Sequence, residues 1–347
     1  MPSGLATSLG PVSPSRRRRL PPRAVNAAGY LQGFVLAGVA TVLLTRAYLR
    51  ATGYPQIGGG GLHIAHVLWG GLVMAVGLGV ALVFLGGAAR MAGAIVGGIG
   101  FGLFIDEVGK FVTAGTDYFY RPAASIIYAV FALLVVITQA VRDRMTLTPG
   151  ERVANALDTV VGGVGRGLTD RRRVTTLRMV RGAGPEVEYA VSQLLDAVPR
   201  REPPPRRFWQ PWLARLRAGA VRLIRARWVV TLVVVYLVVE PVTNVGSVVV
   251  DGVTGQLDEV REWGAVLGVS AAALVAAVLG IRAAFLLRND RAGAFRLFKL
   301  ALLVNLLFGQ VFNFTVNQFG AVATLAVDLV LLAVVTGEHR RVRAEAG

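Results

Sequence analysis

Residues 92–110 read AGAIVGGIGFGLFIDEVGK. The first fourteen carry no charge, five of them are glycines, and the run closes on Asp106 and Glu107 with Lys110 one turn further on. With Phe111 to Thr113 the apolar block covers 92–113, about the 20 residues that a helix needs to cross hydrocarbon. Its glycines fall four apart, 93 with 97 and 98 with 102, which lets a neighbouring helix approach closely. A nucleotide-binding reading of the same glycines fails, because no strand precedes them and the spacing is wrong. This block is therefore read as one membrane span of a helical bundle.

Seven further blocks have the same character, at about 28–49, 63–86, 123–141, 228–249, 263–285, 297–313 and 319–336. The expected fold is an all-α polytopic transmembrane helix bundle of about eight spans with a cytosolic helical loop domain. The last two blocks share a tight polar turn, Thr315 to Gln318, and a re-entrant hairpin there would leave six full spans. The chain then divides into a disordered basic tail (1–27), spans one to four (28–141), a basic loop (142–227), spans five to eight (228–337) and a short tail (338–347). Both halves enter from the same side, as a parallel repeat would, although no residue-level similarity joins them.

Composition agrees. Hydrophobic residues make up 54% of the 347 and charged residues 16%, against about 25% charged in a soluble domain. The absence of cysteine excludes disulfides, thiolate catalysis and zinc–cysteine sites. Of the 37 basic residues only Lys110 and Lys299 are lysines, an arginine bias of GC-rich bacterial genomes that points to a bacterial inner (plasma) membrane. The net charge of +17 lies beside the apolar blocks, where its partners are the lipid bilayer and anionic headgroups. No nucleic-acid-binding motif accompanies it.

Arginine placement sets the orientation. With the N-terminus inside, the cytoplasm holds the Arg16–Arg19 run, Arg90, the middle loop, Arg288, Arg291, Arg296, Arg340, Arg341 and Arg343. The outside holds Arg46, Arg50, Arg121 and Arg261. The middle loop carries 18 Arg against 8 acidic residues, a net of +10. Within it, Thr148-Pro149-Gly150-Glu151 predicts a capping box with proline at the first helical position. Gly184-Pro185-Glu186 opens another helix, with Val187, Ala190, Val191, Leu194 and Leu195 on one face. After Pro203–Pro205, the aromatics Phe208, Trp209 and Trp212 interleave with five arginines up to Arg227, which suits a helix in the headgroup layer.

The residues able to carry chemistry collect toward the outer half. His63 and His66, three apart, share one helical face at the start of span two. Counting from residue 92, Asp106 and Glu107 stand roughly 20 Å into a core of about 30 Å. Lys110 is within reach of either carboxylate. The second half adds Glu240 before Pro241, Asn244 one turn on, Gln310 and Asn313 in span seven, and Asp328 in span eight. Intramembrane carboxylates are costly unless paired or wet and normally face the bundle interior. Two readings follow: an interfacial ion-pair cluster that fixes helix three, or a polar site in the outer half.

The segments His63 to Gly71, Gly100 to Phe111 and Asp117-Tyr118-Phe119-Tyr120-Arg121-Pro122 resemble a group of bacterial integral membrane proteins with no assigned activity. That resemblance covers about 60 residues and implies a membrane fold, but no catalytic assignment. The histidine and acidic pattern is also similar to the ceramidase-like membrane hydrolases, which bind zinc through three histidines. His339, the only other histidine, lies in the cytoplasmic tail, so that three-histidine site is not reproduced here.

Three functions are compatible with these residues. The first is a transporter or ion-coupled carrier whose polar intramembrane site opens to the outer face. The second is a membrane-embedded hydrolase using a divalent metal such as zinc on His63, His66 and Asp106 or Glu107. The third is a membrane sensor or scaffold acting through its basic loop.

Overall fold

The computed structural model describes residues 21–52, 66–107, 121–202, 260–310 and 318–345, with positions 211, 212, 215, 218, 219, 231–233, 235–237 and 239 between them. Ten helices are bounded within these: α1 (Ala27–Thr52), α2 (His66–Val83), α3 (Gly87–Asp106), α4 (Arg121–Asp143), α5 (Pro149–Val164), α6 (Asp170–Val180), α7 (Pro185–Ala197), α8 (Val260–Leu286), α9 (Arg291–Val304) and α10 (Gln318–Glu345). Among the described residues there is no strand, only one isolated parallel bridge between Leu168 and Arg200. Four helical segments are long and apolar enough to cross a membrane: Ala27–Leu49, Gly87–Asp106, Ile126–Asp143 and Arg291–Gly309. Val67–Val83 and Ser270–Leu286 are shorter apolar helices. The described residues are thus all-helical, with four helices of spanning length among them.

It folds as two units. One comprises residues 28–145 with 202–347, the other 1–27 with 146–201. The first puts small residues between its helices and large apolar ones outside. Leu68, Leu72, Leu82, Leu274 and Phe285 are exposed, whereas Gly93, Gly97, Gly98, Gly100 and Gly102 of α3 are buried. That arrangement fits a hydrocarbon surrounding, in which outward leucines cost nothing and packing comes from close backbone approach.

Helix α3 is held on two faces. A Cβ at Gly70 of α2 would stand 2.5 Å from the Phe104 nitrogen, and one at Gly93 of α3 would stand 2.7 Å from the Gly77 carbonyl oxygen. On its other side, a Cβ at Gly102 would lie 2.6 Å from the Gly38 oxygen of α1, and Gly98 packs on the Phe34 backbone. Pairs 34 with 98 and 38 with 102 rise together, so α1 and α3 run parallel. Pairs 70 with 104 and 77 with 93 run oppositely, so α2 and α3 are antiparallel. The turn between α2 and α3 contains Gly86 at φ 91°, a conformation that glycine adopts without penalty.

Around α9, Val233, Leu237, Ala283, Phe295, Phe298, Leu302, Leu332 and Val335 form the largest core. Lys299 of α9, its side chain nearly buried, pairs with Asp143 at the end of α4.

The second unit is a small helical domain on Ala156, Val160, Leu168, Val180, Val191, Leu195 and Val198. The predicted capping box is present: Glu151 N–H donates to Thr148 Oγ1 at 3.2 Å and Thr148 N–H to Glu151 Oε2 at 2.9 Å. The face of α7 is narrower than the sequence suggested. Val191 and Leu195 are buried with Val187 packed beside them, but Ala190 and Leu194 are exposed. Arg173 of α6 donates to the carbonyls of Leu195 and Val198, closing the end of α7.

Residues 21–27, read above as part of the tail, strap onto α5. Arg23 donates from Nε to Glu151 Oε1 at 2.7 Å and from Nη2 to Oε2 at 2.9 Å. Val25 N–H donates to Asn155 Oδ1 at 2.7 Å. The Arg23 guanidinium, followed by the Thr148 N–H, holds the Glu151 carboxyl well below the usual carboxylate range.

Candidate functional site

The position of Asp106 follows from where α3 begins. The sequence count started at residue 92, but the helix opens at Gly87 and its last residue is Asp106. At 1.5 Å per residue the helix is about 30 Å long, so Asp106 and Glu107 stand at its end rather than two-thirds of the way along. Arg90, which the sequence blocks left between the second and third spans, lies in its first helical turn.

Both carboxylates are engaged there. Arg46 Nε of α1 donates to Asp106 Oδ1 at 2.6 Å, between a half-exposed arginine and a buried carboxylate. Because α1 and α3 run parallel and Arg46 is the twentieth residue of α1, the two groups reach the same level from the same end. Glu107, 2% exposed, accepts the Val67 N–H through Oε2 at 2.7 Å. It thereby satisfies one of the open N–H groups at the start of α2 and sets a negative charge at the positive end of that helix. Among the described residues, then, Asp106 is ion-paired to α1 and Glu107 caps α2.

His63, Lys110, Glu240, Asn244 and Asn313 lie outside the described residues, and of His66 only the backbone is described. Among the described residues no three His, Asp or Glu side chains converge to hold a metal ion.

Gln310 and Asp328 do come together, in a second cluster. Asp328 is fully buried, ten residues into α10, about 15 Å from its start. Its carboxylate accepts from Tyr236 Oη at 3.0 Å, from Asn305 Nδ2 at 3.2 Å to each oxygen, and from Gln310 Nε2 at 2.8 Å. Thr324 Oγ1 donates to Gln310 Oε1 at 3.0 Å. The described donors to Asp328 are thus one phenol and two carboxamides.

A backbone irregularity builds this cluster. Residues five apart on an α-helix are about 140° apart around its axis, which would turn Asn305 and Gln310 to different faces. Instead α9 continues into a π turn, Asn305–Gly309, closed by the Gln310 N–H on the Asn305 carbonyl. The wider i to i+5 turn brings both carboxamides to Asp328. Tyr128 of α4 donates its hydroxyl to the Leu306 carbonyl at 2.6 Å, giving that turn an outside partner. Gly309 leaves the room, since a Cβ there would collide with Asn305 Oδ1.

Tyr236, Asn305 and Thr324 are functional candidates that sequence reasoning misses. Tyr236 and Asn305 are lone polar residues in the apolar runs VVVYLVV (233–239) and LLVNLLF (302–308), which is the signal that could have found them. No family model, curated protein or solved structure matches this chain.

Proposed function

We propose that the protein is an ion-coupled membrane carrier whose charge-bearing centre is Asp328. The observation that carries this reading is the fully buried carboxylate of α10, ringed by Asn305, Gln310 and Tyr236 beside a π turn. An intramembrane carboxylate is expensive, and its usual use is to bind or relay a charge. π turns are frequent at functional sites, where they give a helix a second backbone arrangement. By contrast Asp106 and Glu107 already serve Arg46 and the start of α2, which favours a carrier over a hydrolase built on them.

In this proposal the chain crosses a bacterial inner membrane eight times with both termini in the cytoplasm. The exposed Arg171, Arg172, Arg178 and Arg181 on the loop unit, beside exposed Val174 and Leu177, suit anionic headgroups.

Solute exchange tests the carrier even while its substrate is unidentified. Proteoliposomes loaded with isotopically labelled small-molecule extract are diluted into unlabelled extract, and the retained label is read by mass spectrometry. At least one solute is expected to exchange in the wild type and to stay trapped in the Asp328→Asn variant. Equal retention of every solute in wild-type and protein-free vesicles would overturn the carrier reading.

A further inference from the structure

Asp328 has more oxygen around it than a proton needs. A proton requires one carboxylate oxygen and one acceptor. Here two carboxamides and a phenol touch the carboxylate, with the Thr324 hydroxyl one bond behind. Each of these groups carries an oxygen with free lone pairs.

In the structure the carboxamides turn their N–H groups toward the carboxylate, at 3.2 Å from Asn305 and 2.8 Å from Gln310. A half-turn about the last side-chain bond exchanges N–H for oxygen at the same place, with no backbone movement. Gln310 keeps its contact after that turn, because the Thr324 hydroxyl accepts as readily as it donates. The same shell therefore has two faces: donors to a bare carboxylate, or acceptors around a cation beside it.

We infer that this shell binds a monovalent cation of the sodium type, held by the Asp328 carboxylate, the Asn305 and Gln310 carboxamide oxygens and the Tyr236 hydroxyl. Its charge follows from Asp328 being the one carboxylate among the described residues of the shell. One positive charge is balanced, whereas a second would be left uncompensated in an apolar core. Its hardness follows from the ligands, which are all oxygens. Burial adds selectivity. Asp328, Gln310 and Asn305 are 0%, 1% and 3% exposed, so an entering ion exchanges nearly all of its water for these oxygens. Gly309 has a positioning role, since any larger residue displaces the Asn305 carboxamide. The inference rests on the carrier reading, of which it names the coupling ion.

The test uses the full-length protein in lipid nanodiscs and binding of radioactive sodium at constant ionic strength. Saturable binding near one ion per chain is expected, displaced by excess NaCl and not by choline chloride. Asp328→Asn is expected to abolish it. Gln310→Leu and Gly309→Ala, which keep the carboxylate, are each expected to weaken it about tenfold or more, as loss of one liganding group in a dry site does. Thermal melts of each variant guard against misfolding, and Gln310→Leu carries the test if Asp328→Asn fails to fold.

Absence of saturable sodium binding in the wild type, at neutral and at alkaline pH, would overturn the inference. So would equal affinity in Gln310→Leu and the wild type. A melt that responds to pH through Asp328 but not to sodium would mark a proton site, overturning the sodium assignment and leaving the carrier. Sodium binding without any solute exchange would do the reverse.

Discussion

Arg46 reaches Asp106 from a neighbouring helix, and that contact gives one carboxylate of α3 a cationic partner. The carboxylate is buried while its partner is 44% exposed. Removing the cation leaves a buried charge, but water can still approach along the arginine side. Arg46→Gln is therefore expected to destabilise the bundle by about 1–2 kcal/mol, below the roughly 3–5 of a fully buried pair. Asp106→Asn is expected to cost a similar amount or less, and the double variant no more than the worse single one. Thermal unfolding of the four proteins in one detergent measures that coupling, and strict additivity would mean that the pair does not interact. The sequence pointed at Lys110, which lies outside the described residues. Spacing within one helix can be read from the sequence, because i and i+4 always adjoin. A partner sixty residues away is visible only once the register of α1 on α3 is known, and that register comes from where Gly98 meets Phe34 and Gly102 meets Gly38.

At the scale of elements, glycine does the work that leucine does in water-soluble bundles. The sequence showed the repeats at 93 with 97 and 98 with 102, and each of those glycines lies against a neighbouring helix or its side chains. It did not show that they serve two partners, with Gly93 and Gly100 meeting α2 while Gly98 and Gly102 meet α1. Glycines of α2 differ in the same way. A methyl group at Gly77 would strike the backbone of Gly97, whereas Gly71 and Gly79 have nothing within 4 Å. Gly77→Ala and Gly100→Ala are thus expected to destabilise by about 1–3 kcal/mol, the range of overpacking. Gly71→Ala and Gly79→Ala are expected to be neutral or slightly stabilising, since alanine is the better helix former. Melting temperatures in one detergent separate the two groups, and a similar loss in all four would mean that α2 and α3 do not pack by these faces. The π turn marks the opposite limit of legibility. Nothing in Asn305 to Gly309 departs from a helical pattern, and the extra residue in the turn becomes visible only when Asn305 and Gln310 both meet Asp328.

For the whole molecule, arginine is the only strong signal of direction, and its apparent exceptions can be examined one by one. Inverting the proposed topology would export the Arg16–Arg19 run, the loop with its 18 arginines and the terminal cluster Arg340, Arg341 and Arg343. Such a count of exported charge opposes insertion, because basic residues near span ends are retained inside. In the proposed topology Arg46 runs against the rule, at the outer end of the first span, but it is paired with Asp106 and so presents little net charge. Arg261 lies beside Asp258, Glu259 and Glu262 in sequence, in a segment whose acidic excess fits the outside. In the proposed topology the loop after α4 and the tail after α10 are both basic, so an even number of spans separates them, which fits eight crossings and equally six. Reporter fusions after Arg144 and after Arg341 are expected to be active as cytoplasmic markers and silent as exported ones, with the reverse at Gly255. A cytoplasmic signal at Gly255 would remove two crossings from the second half and leave six. A signal from outside at Arg144 would invert the first half, contradicting the arginine asymmetry on which the orientation rests.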